Sequence, residues 1–92
     1  MIAHKLVMQT AKKMAGAVYE VCAQDNAWYK LNPSQPHFIN STWPKLIPQA
    51  RATLARMLSM NYPQSLKDEI ADALIKDAEL APLRYMHHSA VH

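Results

Sequence analysis

Apolar residues recur every three or four positions in three separate stretches of the chain, a spacing that predicts α-helices. Val7, Ala11, Met14, Val18 and Val21/Cys22 form the first stripe, with Lys5, Lys12, Lys13 and Glu20 off it. A helix is therefore expected from about Ile2 to Gln24, ended by Asp25-Asn26. Ala15 and Gly16 are small enough for another helix to approach closely there. The second stripe is Ala50, Leu54, Met57 and Leu58, which leaves Arg51 and Arg56 pointing elsewhere. It runs to Met60 and is broken by Asn61-Tyr62-Pro63. Leu66, Ile70, Ala73, Leu74 and Asp77/Ala78 form the third, to about Leu80, with Pro82 as its stop. Ser65-Leu-Lys-Asp68 reads as a capping box with aspartate in the glutamate role, placing acids in the first turn where the helix dipole favours them. One residue from each stripe, Val18, Leu54 and Leu74, is expected to anchor the core.

The segment between the first two stripes has no such period. Residues 25–48 hold four of the six prolines and both tryptophans. Asn32-Pro33 and Gln35-Pro36 impose extended or turn geometry on the residue before each proline. Ser34 is placed to cap a short helix with Pro36 in its first turn, and Ser41 or Thr42 is a second cap candidate ahead of Pro44. The helix carrying the second stripe is expected to be fully regular only from Pro48. The predicted architecture is all-α, a compact bundle of three main helices plus a short helix in the proline-rich connection. It forms one domain over residues 1–82, with a frayed tail over 83–92.

Composition agrees. Half of the 92 residues are apolar and 18% are charged, which is ordinary for a globular chain and unlike a disordered one. A single glycine leaves little for the tight turns and bulges of a β-rich domain. A chain this short has a small core, so helices short of apolar partners gain them by dimerising, and a homodimer is among the expected states. No stretch approaches the roughly 20 apolar residues of a membrane span, and the first residues lack a signal-peptide core. The expected location is cytoplasmic.

Charge changes the picture at one point. The net charge of +3 conceals an excess of basic residues in the first part of the chain. Residues 1–56 hold seven Lys/Arg against Glu20 and Asp25, whereas residues 67–79 hold five acids against Lys67 and Lys76. Such polarity steers a polyanion to one end or pairs the helix faces with each other or with a symmetry mate.

Nothing in the sequence assembles an active site. Cys22 lies on an apolar stripe, which suits a small core residue better than a reactive thiolate, and one cysteine makes no disulfide framework. The five histidines, His4, His37, His87, His88 and His92, show no metal-binding spacing. Asp68 and Asp72 share an outer face, with Lys76 at the stabilising i, i+4 distance from Asp72, which describes a solvated surface. No enzyme, metal or cofactor is therefore expected. The informative stretch is Asp25-Asn-Ala-Trp-Tyr-Lys-Leu-Asn32, followed by Phe38 and Trp43. Trp28 and Tyr29 diverge by about 100° on a helix, so one ring packs on the prolines and the other lies nearer the surface. Trp28, Tyr29, Lys30, Lys45, Arg51 and Arg56 are the candidate binding residues, suited to anchoring a partner protein or stacking a base.

The runs Ala17-Val-Tyr-Glu20, Asp25-Asn-Ala-Trp-Tyr-Lys-Leu-Asn-Pro33, Phe38-Ile39, Trp43-Pro44, Gln49-Ala-Arg-Ala-Thr-Leu-Ala-Arg-Met-Leu58 and Leu66-Lys-Asp-Glu-Ile-Ala-Asp-Ala-Leu74 resemble small helical proteins of unassigned activity encoded by bacteriophages and prophages. The resemblance covers roughly residues 17–80 and rests mostly on the aromatic-Lys-x-Asn-Pro and Trp-Pro elements. It implies a phage origin and expression in a bacterial cytoplasm, and it carries over no residue roles. Small phage proteins are often host-takeover or anti-defence factors, anti-CRISPR proteins among them, that block a bacterial complex by binding it. The expectation is such an accessory protein, acting on a host protein or protein complex. The alternative is a protein that binds or sequesters nucleic acid or a nucleotide.

Overall fold

The computed structural model describes residues 3–24 and 34–80, and within them the chain is all-α and compact. Helix α1 spans Lys5–Cys22, α2 Gln35–Thr42, α3 Ile47–Met57 and α4 Gln64–Glu79. A 3-10 helix, Trp43–Leu46, joins α2 to α3. α1 packs against every other element, and α3 packs against α4.

The prolines explain why residues 35–57 are three helical segments rather than one. Pro36, Pro44 and Pro48 each stand in the first turn of their own segment, where a missing N–H leaves no bond unmade. Pro36 opens α2, and Pro44 and Pro48 each close the segment before them and open the next. The regular helix begins at Ile47, one residue before the position expected from Pro48. Ser34 is the N-cap residue of α2 but its hydroxyl makes no cap bond; Thr42, ahead of the 3-10 helix, makes none either.

The start of α4 departs from the expected capping box. Pro63 is the N-cap residue, and its carbonyl already accepts from Leu66 N and Lys67 N at 3.1 and 3.2 Å. Ser65 therefore lies inside the helix, and the first turn contains no acid. Asp68 instead accepts a hydrogen bond from Gln64 Nε2 at 2.9 Å. The extended backbone that Pro63 adopts, followed at once by helical Gln64, moves the boundary two residues earlier than the serine suggested.

Val7, Ala11, Ile47, Ala50, Leu54 and Ile70 form the buried core, with Leu6, Met8, Met14, Trp43, Leu46, Leu58, Leu66 and Leu74 packed around it. Leu54 is buried as expected and Leu74 is half-buried. Val18 is not a core residue: it is 42% exposed, and Val21 is 69% exposed. The stripe on α1 is continuous in sequence, but the core formed with α3 and α4 draws only on its first half. Cys22 is half-buried for the same reason.

Beyond Ala11, α1 is covered on a neighbouring flank by α2. A Cβ placed on Gly16 would lie 3.5 Å from Ile39 Cδ1 and 3.9 Å from Gln35 Nε2, so the small residue does mark a helix contact. The Tyr19 and Phe38 rings meet one turn further on, with centroids 5.6 Å apart and planes tilted by 53°. No helix among the described residues is long and apolar enough to cross a membrane. The expected stops at Asp25-Asn26 and Pro82 and the frayed tail over 83–92 lie outside the described residues.

Candidate functional site

One polar cluster is built into the fold. Asp77 occupies a core-facing position of α4, seven residues after Ile70, and is 2% exposed. A carboxylate this deep is stable only if its lone pairs are met. Arg51 Nε of α3 lies 2.6 Å from Asp77 Oδ2, and His4 N donates to Asp77 Oδ1 at 2.9 Å. The His4 imidazole then turns back, its Nδ1 accepting from Leu6 N at 3.1 Å, and so caps α1. A single carboxylate thus fastens the start of α1 to α3 and α4. Arg51 Nη2 is buried without a hydrogen-bond partner among the described residues.

A second group of residues faces outward. Lys12 Nζ lies 5.3 Å from the centroid of the half-buried Trp43 ring, a cation–π geometry worth about 0.5–1 kcal/mol at an exposed site. Trp43 stands here because the 3-10 helix packs against α1. Lys5 precedes Lys12 by two turns and lies only about 20° from it around the axis of α1, on the same side. Lys45 follows two residues after Trp43, in the same 3-10 helix. All three lysines are exposed. Lys12 is thus the cation held over the indole, with Lys5 two turns away on the same side of α1 and Lys45 on the 3-10 helix that carries Trp43.

Of the residues expected to bind, the described ones, Lys45, Arg51 and Arg56, do not share one face. Trp28, Tyr29 and Lys30 lie outside the described residues. Lys45 is exposed in the 3-10 helix that carries Trp43, whereas Arg56 is exposed in the last turn of α3, at the far end of that helix. Arg51 does not point away from the bundle: it is 31% exposed at its side chain and committed to Asp77. It follows Ile47 by one turn, which brings it to the edge of the core. Arg51 and Arg56, five residues apart, diverge by about 140° and share no face. Sequence reasoning missed His4 as a cap, Asp77 as a buried anchor and Lys12 as the partner of Trp43. Only Asp77 left a signal, an acid standing at an apolar-stripe position.

Among the described residues no three His, Cys, Asp or Glu side chains gather where they could hold a metal ion. Comparison of the chain with protein-family models, with curated proteins and with solved structures found no match.

Proposed function

We propose that the protein is a phage accessory factor that inhibits or redirects a host factor by binding it, in the manner of anti-defence proteins. The observation that carries this reading is the Lys12 ammonium over the Trp43 indole, with Lys5 exposed on the same side of α1 and Lys45 exposed on the helix that carries Trp43. An aromatic ring with a cation on its face is the kind of surface on which protein interfaces concentrate binding energy, and it fits an acidic surface on the partner. The phage setting rests on the resemblance across residues 17–80.

Capture of bacterial lysate proteins on the purified chain, followed by mass spectrometry, tests it. The Lys12→Glu/Lys45→Glu double variant is expected to lose the captured host protein while Arg56→Glu keeps it. Equal capture by the double variant at low and high salt would remove the patch from consideration. Co-purifying nucleic acid, with a raised absorbance ratio and affinity falling steeply with salt, would replace this reading with a nucleic-acid binder.

A further inference from the structure

We infer that the second half of α1 docks a second copy of this chain, antiparallel and across a two-fold axis close to Ala17. The inference is independent of the Lys12–Trp43 surface.

Val18 stands two turns after the fully buried Ala11 and within about 20° of it around the helix. It therefore belongs to the core-facing stripe, yet 42% of it is exposed, and Val21 one turn later is 69% exposed. Ala17 is exposed and Met14 half-buried, so the four side chains form an apolar seam continuous with the core. α2 lies on a different flank, at Gly16 and Tyr19, and leaves this seam open.

Charge selects the occupant. Lys13 and Glu20 flank the seam on one side, seven residues apart and within about 20° of each other around the axis. Both are exposed, and neither has an ion-pair partner among the described residues. Seven residues is too far for an i, i+4 pair within the helix. A two-fold axis between them reverses the second helix and sets Lys13 of each copy against Glu20 of the other. An axis at Ala17 lies midway between this pairing and that of Met14 with Val21 of the second copy. Each pair is then within about 1.5 Å of level, with Ala17 and Val18 of both copies near the axis. A parallel pairing would carry the Lys13–Glu20 edges of the two copies to opposite sides of the interface and leave both edges unpaired. The face is thus complementary to itself in one orientation, which is the property an isologous interface requires.

Sedimentation equilibrium of the full chain across a range of concentrations tests this, with circular dichroism to verify helicity. The wild type is expected to dimerise reversibly, and Val21→Glu to weaken dimerisation by about tenfold or more with helicity unchanged. Lys13→Glu and Glu20→Lys should each weaken the dimer, and the Lys13→Glu/Glu20→Lys swap should restore it. A monomeric wild type at every concentration overturns the inference. So does a dimer indifferent to Val21→Glu, or a charge swap that fails to restore what the single reversals lose.

Discussion

Arg51 and Asp77, 26 positions apart, meet at 2.6 Å with the carboxylate almost wholly removed from water. Removing one partner of a buried pair leaves the other charge or its hydrogen-bond donors unmet, which costs about 3–5 kcal/mol. Arg51 retains some solvent contact, so the low end applies. Asp77→Ala is expected to destabilise the fold by about 3 kcal/mol in urea denaturation. Asp72→Ala breaks a pair whose members are 61% and 58% exposed, and should cost less than about 0.5 kcal/mol. Equal midpoints for the two variants would contradict the buried clasp.

His4 offers two separable bonds, one from its backbone and one to its ring. His4→Ala keeps the backbone donor to Asp77 and loses only the cap, so a loss of about 1 kcal/mol is expected. His4→Asn supplies another cap acceptor and should match or exceed the wild type. His4→Pro removes the N–H as well and should be the least stable of the three. Thermal melts of the three variants would reveal a different order if the imidazole were a bystander.

Gly16 lies in the middle of α1, where glycine costs about 1 kcal/mol relative to alanine. An alanine Cβ would meet Ile39 Cδ1 at ordinary contact distance. Gly16→Ala is therefore expected to raise stability by up to about 1 kcal/mol, measured as a higher urea midpoint. Gly16→Leu would push against Ile39 and Gln35 and should lower it.

Leu54 and Ile70 sit in the core, and truncation of either to alanine should cost about 2–5 kcal/mol. Val18→Ala removes a side chain that is largely outside it and should cost less than about 1 kcal/mol at concentrations where the chain is monomeric. A Val18 variant as damaged as the Leu54 variant would place the core elsewhere.

The helices were legible because their stripes obey a local period, and the segmentation of residues 35–57 because proline acts on its immediate neighbours. Val18 misled for a physical reason. Periodicity reports which side of a helix is apolar, but not how far along that side the partners reach. The capping box failed because Pro63 competes with Ser65 for the same boundary, and local pattern alone does not rank them. The candidate site was read less well still. Arg51 looked free because its carboxylate partner is on another helix, and Lys12 looked like any solvated lysine until the 3-10 helix brought Trp43 beside it.

The bond from His4 to Asp77 spans 73 positions, so the two ends of the described chain are tied through one carboxylate. Closing so long a loop is entropically unfavourable until the intervening helices have docked. The clasp should therefore form after the folding transition state and act as a latch on the finished bundle. In stopped-flow chevrons, Asp77→Ala is expected to leave the refolding arm nearly unchanged and to accelerate unfolding by almost the whole of its stability loss. The native lifetime of the protein, rather than its speed of folding, would then be set by this single buried side chain.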